Sequence, residues 1–334
     1  QIPLAPFFFM KLVYEKFLTN IRENQLIKPI DRILAAISCG PDSICMLNLL
    51  LILKKKLGYD LGIAYINHNL RPNEVKKEVK FILKTGISLK LPVYIESVRI
   101  GKTKSGLESE ARKARYAALT EIAKKNDYDI IATGHTLDDL AETVLLNLVR
   151  SKCEEGIMAI PVKRQLADGN ISIIRPMLSL KKQEILAYLK YRRIKFCLDS
   201  SNKDMNFSRN LVRHEILPRL MKINQKLFEH LATLSKYSEM KETYFDELVE
   251  NIQKPFAKAN YNYMSLDLKM FFKYNSYLRW KLLKSTLSKL NIQDYSKSIQ
   301  EILQFLASAN NKTLLKNISI EKKGDNLVFR KILK

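Results

Sequence analysis

Along the first two thirds of the chain, apolar residues fall in short continuous runs separated by longer stretches of helical period. The runs are Arg32–Ile37, Leu61–Asn67, Pro92–Ser97, Asp129–Thr133 and Ile171–Pro176. Between them the period predicts helices over Asp42–Lys56, Asn73–Lys90, Leu107–Lys125, Leu137–Arg150 and Leu180–Arg192. Strands apolar at consecutive positions are buried on both faces, and their alternation with helices predicts a parallel sheet covered on both sides. From about Met221 the pattern changes. Helical segments rich in Lys, Tyr and Phe follow (Lys226–Lys254, Leu266–Asn291, Tyr295–Ser308). Two alternating strands, Leu315–Glu321 and Asn326–Arg330, then flank "KKGD", a hairpin signal. The predicted organisation is an N-terminal extension or helix over residues 1–30 and an α/β domain over 31–220. A helical, basic region over 221–334 ends in a small α+β unit, with the boundary near 217–225.

Parallel α/β sheets bind ligands at the carboxyl ends of their strands. Ser38, the pair Asn67–His68 and the pair Gly134–His135 all fall just past predicted strand ends. The first of these turns reads "SCGPDS", Ser38 to Ser43. A helix that starts in a turn presents unpartnered N–H groups and the positive end of its dipole, which makes an anion site. Ser38 and Ser43 can donate hydroxyl hydrogens there, and Gly40 lets backbone come close. Asp42 cannot bind phosphate while ionised, so it suits a Mg²⁺ ion or the helix cap. An ordinary N-cap turn uses the same residue types, and the turn alone leaves both readings open. It matches neither G-x-x-x-x-G-K-[ST] nor G-x-G-x-x-G.

Further along, Asp138 and Glu142 are four apart, and Asp139 and Glu142 three apart, within a predicted helix. That spacing gathers three carboxylates on neighbouring faces. An acidic helix N-terminus, favoured by the dipole alone, is the plainer account. His135 suits proton transfer or nucleotide positioning, or a capping role. Arg112 and Arg115 share one helix face, and Arg209 and Arg213 flank Asn210. Guanidinium forks of this kind suit phosphate. Lys181, Lys182, Lys190, Arg192, Arg193 and Lys195 form a basic stretch against a single acid, Glu184, which reads as contact with a nucleic-acid backbone.

Composition sharpens this. The chain has 334 residues, enough for two or three domains, and 46% apolar content, as in a globular protein. Its 57 Lys and Arg against 34 Asp and Glu give a net charge of +23, which points to a polyanionic partner, with a lysine-rich proteome accounting for part of the excess. The four cysteines, Cys39, Cys45, Cys153 and Cys197, include no C-x-x-C pair, which argues against zinc or an iron–sulfur cluster and fits a reducing, cytoplasmic setting. No apolar run reaches the roughly 20 residues that span a bilayer. The aromatic start lacks the layout of a signal peptide, and residues 1–9 are read as an extension ahead of a start at Met10.

The loop "SCGPDS" resembles the S-G-G-x-D-S pyrophosphate loop of the PP-loop ATP pyrophosphatases, with Cys39 in place of the first Gly. A negative φ with the sulfur pointing away from the ligand would make that exchange cheap. Five other segments resemble motifs of one branch, the tRNA(Ile)-lysidine synthases: "YINHNLRPNE" (Tyr65–Glu74), "ESEARKARY" (Glu108–Tyr116), "ATGHTLDDLAET" (Ala132–Thr143), "IIRPMLSLKKQEI" (Ile173–Ile185) and "FCLDSSNKDMNFSRNLVRHEILP" (Phe196–Pro218). Together they cover about residues 31–218 in order. Two departures stand out: the Gly-rich loop of the family is "RSKCEEGIMAIP" here, keeping Gly156, and Phe196 replaces a tryptophan.

The resemblance implies a PP-loop (adenine nucleotide α hydrolase-like) α/β fold. It implies ligation of free L-lysine to C2 of the wobble cytidine of a tRNA(Ile) with a CAU anticodon, through an adenylated cytidine, releasing AMP and pyrophosphate. It assigns ATP to Ser38, Cys39, Gly40, Pro41, Asp42, Ser43, Asn67, His68 and Arg112, with Mg²⁺ at Asp42. Catalysis falls to Asp42, His135, Asp138, Asp139 and Glu142, and tRNA to Arg115, Lys181, Lys182, Arg209, Asn210 and Arg213. The helical C-terminal region is expected to read the body of the tRNA. A homodimer is among the open oligomeric states. Three rivals remain: a PP-loop tRNA thiolation enzyme, which the cysteine pattern disfavours; a tRNA-binding protein with a decayed loop; and an amide-forming synthetase for a small metabolite, which leaves the basic C-terminal region unexplained.

Overall fold

The computed structural model describes residues 4–67, 72–98, 107–150, 157–166, 169–197, 208–254, 263–292, 295–315 and 317–332. The chain divides into two compact units, residues 1–236 and 237–334.

The first unit opens with helix α1 (Leu4–Glu23) and then alternates strictly: β1 (Arg32–Ala36), α2 (Pro41–Leu57), β2 (Asp60–Asn67), α3 (Pro72–Leu89), β3 (Val93–Ser97), α4 (Leu107–Lys125), β4 (Ile130–Thr133) and α5 (Leu137–Arg150). A short hairpin of β5 (Lys163–Gln165) and β6 (Ser172–Ile174) follows, then α6 (Lys182–Tyr191). Next come α7 (Ser208–Leu211), a π-helical turn over Val212–Ile216, α8 (Leu217–Ile223) and the long α9 (Leu227–Gln253), in which the boundary between the units falls. The sheet order is β3-β2-β1-β4-β6-β5, parallel throughout except for the antiparallel edge strand β5.

Burial explains the sequence of the central strands. Ile33, Leu34 and Ala35 of β1 are fully enclosed, their side chains shared between two apolar clusters on opposite faces of the sheet. A strand buried on both faces needs no polar alternation. β1 pairs with β2 on one side and β4 on the other, so the chain winds outward to β3 and then returns to start the opposite half. That reversal opens a crevice beyond the carboxyl ends of β1 and β4, the usual ligand position in such sheets.

The second unit holds a four-stranded antiparallel sheet, β7-β10-β9-β8, from β7 (Tyr263–Asp267), β8 (Lys312–Leu315), β9 (Ile318–Lys323) and β10 (Asn326–Lys331). Helices α10 (Leu268–Lys273), α11 (Ser276–Lys289) and α12 (Tyr295–Ala307) accompany it. The C-terminal hairpin is therefore two strands of a larger sheet. Leu315 ends β8 and does not begin the strand paired with β10, which starts at Ile318. The helix expected over Leu266–Asn291 is broken because Asp267 and Asn275 each accept a hydrogen bond from a backbone N–H three residues on, Met270 and Leu278, both at 2.9 Å. Each is an N-cap that starts a new helix.

Candidate active site

The turn after β1 is tied by its two serines. The Ser38 N–H donates to Ser43 Oγ at 3.1 Å, the two hydroxyls lie 3.3 Å apart, and Ser43 Oγ donates to the Gly40 carbonyl at 3.0 Å. Gly40 is the N-cap of α2 and Pro41 takes its first position, where its missing N–H costs nothing. Gly40 has φ −67°, open to any residue, and a Cβ there would meet only Ser38 Oγ at 3.5 Å. The position that needs left-handed backbone is Cys39, with φ +63°. The expected negative φ is thus overturned: the turn bends there so that the helix can start at once. The side chain does point away, fully buried in the core with Sγ 3.7 Å from the Glu78 carbonyl. Burial, followed by Cys197 and Glu78 beside it, pushes the Cys39 thiol far up. The Cys39 carbonyl accepts from the Cys197 N–H at 2.9 Å.

The turn after β4 packs directly on this loop. A Cβ on Gly134 would lie 3.1 Å from both N and Cα of Ser43 and 3.2 Å from the Asp42 carbonyl carbon. Sequence reasoning gives Gly134 no role beyond its place after a strand, yet it sets how closely the two turns meet. His135 follows, its Nδ1 3.0 Å from Thr133 Oγ1. Burial, against the pull of Asp139 and with help from Arg175, Arg115 and Arg112, holds its pKa down to about 3, so the ring is neutral near pH 7.

The carboxylates of α5 stand beside Asp42. Thr136 donates both its N–H and hydroxyl to Asp139 Oδ2, each at 2.9 Å, closing the helix start. That oxygen therefore serves the start of the helix. Oδ1 serves otherwise: Lys182 Nζ donates to it at 3.1 Å, and Arg209 and Arg213 approach to 3.5 Å. Burial alone would raise the Asp139 pKa, but Lys182 and Arg209 outweigh it and hold the carboxyl well below the usual range. Glu142, only 1% exposed, accepts from Arg209 Nε at 2.8 Å and from Arg213 Nε at 2.6 Å. Asp138 accepts the N–H of Lys182 at 2.8 Å, which is also the start of α6. Burial still pushes its pKa up. Asp42 is pushed up to about 6, by burial first and then by Asp139 and Asp138 against Lys182.

Other predicted residues sit as follows. Asn67, at the end of β2, donates to Ser97 Oγ at 3.3 Å. Asn210 is buried. Lys181 pairs with Glu229 at 2.7 Å and lies over the Phe228 ring. Lys182, expected on RNA, is turned onto the carboxylates with Arg209 and Arg213. Arg112 and Arg115 lie over the Tyr116 ring. His68, Cys153, Gly156 and the D-S-S-N segment after Cys197 lie outside the described residues.

A nucleotide loop at the switch point of a doubly wound sheet defines an ATP-utilising PP-loop fold. Residues 11–220 match the PP-loop domain family, and the chain belongs to it. Among curated relatives, the chain is 38% identical over 224 residues to a tRNA(Ile)-lysidine synthase of Thermosipho africanus, covering 66% of this chain and 51% of the relative. It is 31% identical over 300 residues to that of Pseudothermotoga lettingae, covering 85% and 66%. The chain thus spans about half to two thirds of the length of these relatives. Among solved structures, the U34-tRNA thiolase NcsA from Methanococcus maripaludis, solved with its [4Fe-4S] cluster, superposes with a TM-score of 0.56 at 18% identity, over 70% of this chain and 79% of that one, a likeness of fold.

Proposed function

We propose that the chain ligates free lysine to C2 of the wobble cytidine of a tRNA(Ile) with a CAU anticodon, consuming ATP and releasing AMP and pyrophosphate. The observation that carries the reading is the meeting of the phosphate loop, Ser38–Ser43, with the carboxylates of α5 at one crevice. Cytidine O2 attacks the α-phosphorus of ATP and pyrophosphate leaves. The ε-amine of lysine then attacks C2 and AMP leaves.

The residues divide the work by their environments. The turn after β1 and the first N–H groups of α2 hold the phosphates. Asp42 is the residue that would hold Mg²⁺: among the described residues no trio of ligating side chains could hold a metal alone, which suits an ion bound by one carboxylate, waters and substrate phosphates. Bound there, the ion would neutralise phosphate charge. Asp139, held ionised by Lys182 and Arg209, and Glu142 beside it attract the ammonium of lysine. Asp138, pushed up by burial, is the better proton acceptor as the amine becomes a nucleophile. Lys182, Arg209 and Arg213 hold the carboxylates in place and offer charge to the anions of both substrates. Arg115 and Lys181 take the RNA backbone. A cytoplasmic site of action follows from the substrate.

A thiolation reading needs a thiolate near the crevice. Cys39 and Cys45 are buried and burial pushes both thiols far up, the reverse of an activated sulfur nucleophile. The inward turn of the Cys39 side chain likewise supports a working loop over a decayed one. The test is the fate of ATP. With Mg²⁺ and a CAU transcript, AMP and pyrophosphate should form, faster on adding lysine and not on adding buffer alone; ADP and phosphate as products would defeat the reading.

A further inference from the structure

Four arginines from three separate parts of the first unit converge on one tyrosine. Arg112 and Arg115 of α4 and Arg164 of β5 each place their guanidinium carbon 5.6 to 5.7 Å from the centre of the Tyr116 ring. Arg175, just past β6, faces the same phenol and is 2% exposed. Its Nη1 donates to the Pro161 carbonyl at 2.5 Å, and its guanidinium lies within reach of the buried Tyr116 hydroxyl. Among the described residues, no carboxylate pairs with Arg112, Arg164 or Arg175. Like charges gathered this closely repel unless an anion joins them. Burial would raise the Tyr116 pKa, yet Arg175, Arg112 and Arg115 outweigh it and hold the phenol below its usual value. Arg112 and Arg164 are exposed, so a ligand can reach the cluster.

We propose that Arg112, Arg115 and Arg164, gathered on Tyr116 and backed by the buried Arg175, form a phosphodiester subsite for the RNA substrate. It rests on the function proposed above and adds Arg164, Arg175 and Tyr116 to its machinery. Two observations favour an RNA strand over the phosphates of ATP. Tyr116 begins an open face of α4, bordering about 740 Å³, that continues past Thr120 and Glu121 to Lys124 and Lys125. Nine residues of helix carry it about 14 Å beyond the cluster, the span of two or more nucleotides of backbone. Arg175, Arg115 and Arg112 all act on the charge of His135, which sets the cluster on the crevice side of α4. Arginine forks and an aromatic face are the pairing that single-stranded nucleic acid binds.

The test uses the full chain and an unmodified tRNA(Ile) transcript with a CAU anticodon, titrated across a salt series, beside ATP binding measured separately. For Arg164→Ala the dissociation constant for the transcript should rise about tenfold, and the slope of log affinity against log salt should become shallower by about 0.7 to 0.9, as for one lost phosphate contact. ATP affinity should be unchanged. Arg115→Ala, read with circular dichroism to confirm folding, should weaken RNA in the same way. Weaker ATP binding with RNA binding and salt slope unchanged would overturn the proposal and assign the cluster to the triphosphate. No change in either would make the cluster structural, and overturn it too. The readings separate cleanly: if the wild-type chain transfers no lysine but Arg164→Ala still loses RNA affinity and slope, the subsite stands and the lysine reading falls.

Discussion

Asp42 shows how a side chain at the candidate site can oppose stability. Its carboxyl is pushed from an ordinary 3.8 to about 6, so the folded state holds a proton that the unfolded chain releases. Stability from this group is present below about pH 4 and is lost as pH rises to about 6. Asp42→Asn should therefore leave stability nearly unchanged at pH 4 and raise it at pH 8, by on the order of 2 kcal/mol, in denaturant titrations at both values. A variant less stable than the wild type at pH 8 would show that the carboxylate is satisfied in the folded chain. Cys39 bears a second local cost: a non-glycine residue in left-handed backbone is strained by about 1 to 2 kcal/mol. Burial of its side chain in the core offsets part of that. The residue types of the loop are legible from sequence, since Ser38, Gly40, Asp42 and Ser43 carry chemistry that a turn before a helix makes sense of. The φ of Cys39 is not legible, because nothing in its identity signals a left-handed position.

At the scale of elements, the site depends on how closely two turns pack. Gly134 brings the end of β4 so close to the first turn of α2 that a Cβ would need the backbone there to give by a few tenths of an ångström. Gly134→Ala must push Asp42 and Ser43 away, because the atoms it meets are backbone. It should cost about 1 to 3 kcal/mol of stability and weaken ATP binding several-fold, read by thermal unfolding with and without ATP. Unchanged ATP affinity would mean that the loop tolerates the shift. The central strands are plain in the sequence because both their faces are buried. β5 is not: Lys163, Arg164 and Gln165 are all exposed and polar, and only pairing with β6 makes them a strand. β7 and the break before α11 escape a reading by period, because the capping side chains of Asp267 and Asn275 act on backbone that the hydrophobic pattern does not mark.

At the scale of the whole chain, the partners of the acidic motif lie far away in sequence. Glu142 meets Arg209 and Arg213 across 67 and 71 residues, and Arg164 and Arg175 meet Tyr116 across a strand hairpin. Local spacing shows that these groups are charged, and the fold decides which of them neutralise one another. Of the basic residues read as contacts with RNA, Lys182, Arg209 and Arg213 lie on carboxylates and Arg115 lies in the arginine cluster. The net charge of +23 remains a property of the surface at large, and it predicts that any binding of the transcript will be steeply salt-dependent. Among the described residues no helix is long and apolar enough to cross a membrane.

The most direct measurement is transfer of radiolabelled lysine to a tRNA(Ile) transcript with a CAU anticodon, with ATP and Mg²⁺, beside Asp42→Ala. The account predicts incorporation at the wobble cytidine that requires ATP and disappears in the variant. Salt-sensitive binding of the transcript with no incorporation would contradict it, and would leave a chain that holds RNA and ATP without joining lysine to either.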